Sequence, residues 1–341
     1  MTRGLLTLLL SVLLSACAAD FQDGDEHFYV VHKGAAMPVW VTGNWRSDRI
    51  LLHVHGGPGT TNGIYFQKDS YRRIADQVGI AFYEQRGSGS ALGAHRQDLT
   101  VDQFVEDARV VMTVLRARYP TARFALMGHS WGGFLGSAIL LEPDLQAQFR
   151  GWIEMDGAHD ASCRSWNYGR DRVLEKGVAG AEAFYRDVWK CDPVTNENNQ
   201  LDEYGGKRIH LWHSEFVRAA GGYDVKPERV LTGDEIAENL FRSQYDLYAV
   251  TQHSPLPVQN FYGRDLTPRL GEIKIPAMVL WGTHDLITPA VNAEPAYRAL
   301  GAAAPDKELV LFDDSGHNPW AEEQDKFVAA VSRFLSKVLP N

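Results

Sequence analysis

Phe124-Ala125-Leu126-Met127-Gly128-His129-Ser130-Trp131-Gly132-Gly133-Phe134 is the stretch that decides the fold. Phe124–Met127 is a short apolar run of the kind that forms a buried strand, and Trp131–Leu141 has the length and pattern of a helix. Between them lies a G-x-S-x-G motif, with Ser130 at the turn. A serine held between a strand end and a helix start sits on a strained backbone with its hydroxyl outward. Its neighbours must be small so that strand and helix can approach, and Gly128, Gly132 and Gly133 meet that need.

Outward from this point, strands and helices alternate. Upstream, Val101–Tyr119 carries apolar residues at Phe104, Val105, Ala108, Val111, Met112 and Leu115, close to helical spacing, and Pro120 ends it. Ile50–Val54 and Ile80–Tyr83 read as strands, the second preceded by a helix end at Tyr71–Val78. Phe28–His32 and Pro38–Thr42 read as an opening antiparallel pair turning at Lys33-Gly34. Downstream come the strand Trp152–Met155 and, much later, the strand Ala277–Trp281. A helix around Ala293–Leu300, the strand Leu309–Phe312 and a helix from about Pro319 to Leu339 complete the series. Such alternation predicts an α/β protein with a mainly parallel sheet covered on both faces. The stretch from about 158 to 267 breaks the rhythm. It is rich in Trp, Tyr, Arg and Glu and reads as an inserted helical cap over the carboxyl edge of the sheet.

Composition narrows the function. Hydrophobic residues make up 45% and charged residues 23% of 341, which is ordinary for a globular chain. A net charge of −9 without a basic block argues against nucleic acid as a partner.

Three loops at predicted strand ends carry the chemistry. His55-Gly56-Gly57-Pro58-Gly59 follows the strand Ile50–Val54. No Gly-Lys-Ser/Thr follows it, which argues against a phosphate loop. A metal reading of His53 and His55 lacks further ligands in the pattern, so no metal is expected. The loop suits an oxyanion hole, with Gly57 N–H as one donor and Trp131 N–H, directly after the serine, as the other. Asp285 lies in Trp281-Gly282-Thr283-His284-Asp285, on the loop after one strand. His317 lies in Asp314-Ser315-Gly316-His317, on the loop after the next. An activated serine needs a base, and the base needs an orienting acid. The order Ser130, Asp285, His317 supplies both, with His284 and Asp314 as near-miss alternatives.

These residues carry a resemblance. His-Gly-Gly-Pro-Gly at 55–59, Glu84-Gln85-Arg86-Gly87-Ser88-Gly89 and Gly-His-Ser-Trp-Gly-Gly at 128–133 look like the prolyl aminopeptidase family of α/β hydrolases. Including the Asp285 and His317 loops, the likeness spans roughly 28–338. It implies the α/β-hydrolase fold and a serine hydrolase that works through an acyl-enzyme without a cofactor. The implied substrate is a small peptide, amide or ester. An aminopeptidase for proline or another small N-terminal residue comes first, and a carboxylesterase or lactonase with the same triad is the alternative. Two departures weaken the transfer of substrate: the family usually has Asp where this chain has Glu84, and often Gly where it has His129. The family's exopeptidases hold the substrate ammonium with cap glutamates, and Glu215 and Glu238 lie in segments that resemble theirs. A non-catalytic binding protein on this fold is the alternative of another class. Such proteins usually lose a triad member, and none is missing here. Epoxide or haloalkane chemistry would put a carboxylate where Ser130 stands.

The first residues read differently. Met1-Thr2-Arg3-Gly4, the apolar run Leu5–Leu14 and Ser15-Ala16-Cys17 form a secretory signal too short for a comfortable membrane span. Leu14-Ser15-Ala16-Cys17 looks like a bacterial lipobox, which implies a lipid anchor on Cys17. Two acyl chains hold a membrane where one is marginal. Ala18 and Ala19 in place of an aspartate resemble outer-membrane sorting, facing the periplasm in a Gram-negative envelope. The chain then divides into a signal peptide at 1–16, a tether at 17–27, hydrolase core at 28–157 and 268–341, and a cap at 158–267. Export would place Cys163 and Cys191 where disulfides persist, and whether they pair is open from sequence.

Overall fold

The computed structural model describes residues 25–66, 68–195, 213–225 and 258–341. Eight strands form one sheet in the order β1-β2-β4-β3-β5-β6-β7-β8. Their spans are β1 Glu26–His32, β2 Ala35–Gly43, β3 Arg49–Val54, β4 Gly79–Tyr83, β5 Arg123–His129, β6 Phe149–Met155, β7 Ala277–Gly282 and β8 Lys307–Phe312. β2 pairs antiparallel with both β1 and β4, and every later pairing is parallel. The opening hairpin turns at Lys33 and Gly34, both with positive φ.

The parallel strands are apolar on both faces because helices cover both. Leu52 and Val54 of β3, Phe124 and Leu126 of β5, and Val279 and Trp281 of β7 pack on one side. That side is closed by helix α1 (Val101–Arg118), whose Phe104, Val111, Met112 and Leu115 are buried. Thr100 caps α1, its side chain accepting from Gln103 N. Helix α2 (Trp131–Leu140) is buried at every position. The alternate residues, Leu51, Ala125, Met127, Met278 and Leu280, face the opposite side. There they meet Phe327, Val331, Phe334 and Leu335 of the last helix. The period-2 alternation of strand side chains produces this division.

The final helical segment differs from the single helix expected over about 319–339. It forms Pro319–Glu322 and Gln324–Val338, interrupted at Glu323, whose φ of −123° and ψ of 57° are not helical. The interruption has a use. Glu323 Oε2 accepts from Asp314 N and Ser315 Oγ, and Glu322 Oε2 accepts from Gly316 N. Two carboxylates thus grip the loop that carries His317.

Between β6 and β7 the chain leaves the sheet. Helices Cys163–Glu175, Ala181–Asp187 and 213–219 lie in this stretch. A disulfide joins Cys163 and Cys191. Asn167 reinforces the same corner, donating to Cys191 O and accepting from Trp189 Nε1. Residues 222–225 strap this insertion to the sheet's carboxyl edge. Leu286 N donates to Gly222 O, His317 N to Tyr223 O, and Val225 N to Glu322 Oε1.

Candidate active site

Ser130 sits between β5 and α2 with φ 59° and ψ −123°. A non-glycine residue at positive φ is strained and persists only when its surroundings hold it. Ser130 N donates to Met155 O, and Ser130 O accepts from Gly133 N and Ala158 N. The glycines beside it are required by contact. A Cβ on Gly128 would lie 2.5 Å from Gly132 C, and one on Gly133 would lie 2.5 Å from Gly157 Cα. A Cβ on Gly132 would press on the carbonyls of Val54 and His55. The elbow and the 55–59 loop therefore touch backbone to backbone.

That loop is fixed by buried polar groups. Gly57 has φ 122°, and a Cβ there would lie 2.5 Å from Gly59 N, so only glycine fits. His55 bonds Gly56 O through Nδ1 and accepts from Gln85 N at Nε2. Gln85 also donates to His55 O and accepts from Trp131 Nε1, linking the loop to the residue after the serine. Glu84, longer than the family's aspartate, reaches Thr61 Oγ1 and Asn62 N. His53 lies between Asn62 Oδ1 and Tyr71 OH. Burial pushes His53 down to about 3 and His55 down to about 4, so both are neutral. Both rings are engaged in these bonds, His53 at the end of β3 and His55 at the start of the loop. Gly56 N is taken by Tyr65 OH, so the next amide along the loop, Gly57 N–H, is the oxyanion donor expected there. Trp131 N–H lies in the first turn of α2, where no i−4 carbonyl is available.

His129 is the second departure from the resemblance, and it is a brace. Its Nδ1 meets Tyr65 OH at 2.7 Å and its Nε2 meets the backbone O of His317 at 2.8 Å. Burial, then the neighbouring His317, pushes its pKa far below the usual histidine range. A neutral ring donating through Nε2 and accepting from the phenol satisfies both contacts. This chain of bonds runs from the Gly56 amide through Tyr65 and His129 to the histidine loop.

His317 and Asp285 come together at the ends of β8 and β7. His317 Nδ1 lies 2.7 Å from Asp285 Oδ2. Nε2 is the ring nitrogen that Asp285 does not take. Asp285 is fully buried and accepts from Ile287 N and Thr288 N at Oδ1. Thr288 Oγ1 lies 2.7 Å from Asp285 Oδ2 and 2.8 Å from Asp156 O, and its single proton serves one at a time. Such donors hold a carboxylate in one orientation while the imidazole turns its other nitrogen outward.

The other residues singled out from sequence fall as follows. His284 and Asp314, the near-miss alternatives, are both exposed. His284 binds Asp313 O instead. Glu215 is exposed on helix 213–219, whose buried positions are His213 and Val217. Glu238 and Cys17 lie outside the described residues. Among the described residues no helix is long and apolar enough to cross a membrane. Sequence reasoning missed Tyr65, Thr288, Tyr223 and Asp156. Asp156 had a signal, since it directly follows the strand beside β7 and so reaches the same carboxyl edge. Tyr65 reaches His129 across 64 residues, Thr288 reaches His317 across 29 and Tyr223 reaches His317 across 317 − 223 = 94, and no local pattern marks them.

An eight-stranded, mostly parallel sheet with a serine elbow and an acid–base pair on its last two strands defines an α/β hydrolase. The chain belongs to the alpha/beta hydrolase family, whose model matches residues 51–331, and it is a hydrolase. It is 26% identical over 296 residues to a probable aminopeptidase, YbaC, of Bacillus subtilis, covering 83% of this chain and 88% of that protein. It is 25% identical over 308 residues to a proline iminopeptidase of Lactobacillus delbrueckii subsp. lactis, covering 86% and 95%. Among solved structures, the proline iminopeptidase of Mycobacterium smegmatis superposes with a TM-score of 0.65 at 20% identity, covering 92% of this chain and 98% of that one. A thermophilic esterase from Thermogutta terrifontis superposes at 0.59 with 18% identity, covering 92% and 99%.

Proposed function

We propose that the chain is a serine hydrolase that acts through an acyl-enzyme, as an aminopeptidase on small N-terminal residues. The observation that carries the catalytic reading is the bonded pair His317–Asp285 on the loop braced against the strained Ser130 elbow. Ser130 Oγ attacks the carbonyl while His317 Nε2 takes its proton. Asp285 fixes the ring through Nδ1 and stabilises its charged form. Gly57 and Trp131 N–H receive the oxyanion without reorganising. His317 then protonates the leaving amine, and water releases the acyl group by the same route. These steps need no metal or organic cofactor.

The peptidase reading draws its support from two curated relatives covered nearly end to end, an aminopeptidase and a proline iminopeptidase. Glu238 and Glu215 are the proposed partners of the substrate ammonium. The test compares prolyl and alanyl arylamides with short acyl esters and lactones. Arylamide turnover that falls when Glu238 is replaced by Gln is the expected result. Turnover of esters or lactones alone would reject the aminopeptidase and leave a carboxylesterase or lactonase. We also propose a signal peptide at 1–16 and lipid attachment at Cys17, holding the enzyme at the cell envelope, and in a Gram-negative envelope at the outer membrane facing the periplasm. Cys17→Ala should release the protein from the membrane fraction, and unchanged fractionation would reject the anchor.

A further inference from the structure

Asp156 stands at the carboxyl end of β6, next to the strand that carries Asp285. It is fully buried, and its φ of 42° places it in the left-handed region. That conformation points its carboxyl under the neighbouring strand, where Oδ1 accepts from Gly282 N at 2.9 Å. Oδ2 has no donor. One oxygen of Asp156, one of Asp285 and one ring nitrogen of His317 all lie within 4.8 Å of one another. Two buried carboxylates this close cannot both be ionised without a compensating cation. His317 already serves Asp285.

We infer that Asp156 is a positioning residue of the triad, its carboxylic acid donating a hydrogen bond to the Asp285 carboxylate. The inference rests on the triad reading above and adds an acid to it. Four observations converge: the strained backbone, full burial, the oxygen with no other donor among the described residues and an Asp285 oxygen within 4.8 Å. Burial and the Asp285 charge both push the Asp156 carboxyl well above its usual range, in the sense a shared proton requires. The titratable groups around it are Asp285, His317, the buried phenol of Tyr65 and, at longer range, Glu322. The two acids would raise the Asp156 carboxyl further, and neither His317 nor Tyr65 offers it a spare positive charge. With Oδ1 held by Gly282 N and the proton on Oδ2, Asp156 makes one bond with each oxygen. Its backbone carbonyl also receives the Thr288 hydroxyl. Asp156 thus also bonds the Thr288 hydroxyl, one of the groups placed against Asp285.

The experiment uses the rate at which a fluorophosphonate probe labels Ser130, followed across pH in the full-length enzyme. This rate reads activation of the serine without assuming a substrate. Asp156→Asn keeps an acceptor for Gly282 N and a donor for Asp285, and asparagine tolerates positive φ. It should label within about threefold of the parent, with an unmoved acid limb. Asp156→Gly removes the carboxyl without backbone strain. It should label at least about tenfold more slowly. Its acid limb should shift upward by about half a pH unit, because Asp285 loses a donor and holds more charge beside the imidazole. Melting curves separate a loss of fold from a loss of positioning, since a purely structural role lowers Tm and leaves the limb in place. A downward shift in Asp156→Asn would mean that Asp156 is ionised in the parent and would overturn the inference. So would Asp156→Gly with the parent's rate and limb. Ser130→Ala, run alongside, keeps the two claims apart: labelling that survives there rejects the triad itself, whereas labelling lost there with parental Asp156→Gly rejects only the shared proton.

Discussion

Gly132→Ala probes the contact on which the site depends. A Cβ at 132 would lie 2.8 Å from both Val54 C and His55 O, and closer still to Val54 O. Ordinary contact begins near 3.4 Å, so the elbow and the loop must part by at least 3.4 − 2.8 = 0.6 Å. The atoms met are backbone, so no side chain can swing aside. Both partners are tied elsewhere, the loop through His55 to Gln85 and the helix through Trp131 to the same Gln85. Overpacking of this kind costs about 1–3 kcal/mol. The catalytic loss should be larger than that figure suggests, because the two proposed oxyanion donors, Gly57 and Trp131 N–H, sit on opposite sides of the contact. A misplacement near 1 Å costs on the order of 100-fold. The expected result is a folded protein with Tm lowered by several degrees and labelling of Ser130 slowed by roughly ten- to a hundredfold. Circular-dichroism melts and fluorophosphonate labelling measure the two effects. A Gly132→Ala protein with parental Tm and parental labelling would refute the argument that elbow and loop are in backbone contact.

Other perturbations have expected outcomes of different kinds. Tyr65→Phe removes the hydroxyl that bonds Gly56 N and His129 Nδ1, and should slow turnover roughly tenfold with a smaller change in KM. Arg86→Met leaves Asp107 buried without the two bonds it receives from Arg86, and chemical denaturation should show a loss of about 3–5 kcal/mol. Replacing Cys163 and Cys191 together by Ser should lower stability by about 3 kcal/mol, and reductant should change the parent but not the variant. Stability should also fall with acid. His53 and His55 stay neutral in the fold to about 3 and about 4, while the unfolded chain binds protons from 6.5 downward. Their contribution is therefore complete above 6.5 and is lost as pH falls toward 4, by about 1.4 kcal/mol per histidine and pH unit. Urea midpoints at several pH values check the slope.

Much of the candidate site is legible in the sequence. Ser130 announces itself because the turn needs glycines at fixed offsets, and Asp285 and His317 because each follows an apolar strand. The hairpin at Lys33-Gly34 and helix α1 were readable from turn chemistry and periodicity alone. The bracing was not legible. Tyr65 and His129 meet across 64 residues, and His129 and the His317 carbonyl across 188. Nothing local distinguishes such residues from ordinary core aromatics. Glu323 shows the same limit, since the amphipathic pattern runs on through the point where the helix breaks. The pattern reports which face is buried. The break follows from a carboxylate needed by the Asp314 amide and the Ser315 hydroxyl.

The most direct test of the account is to catch the acyl group. The enzyme is mixed with excess p-nitrophenyl butyrate, quenched in acid within milliseconds, digested and mapped by mass spectrometry. Butyryl on the peptide containing Ser130, absent from Ser130→Ala, is the expected result. Undiminished ester turnover by Ser130→Ala, or an acyl group on any other residue during turnover, would contradict it.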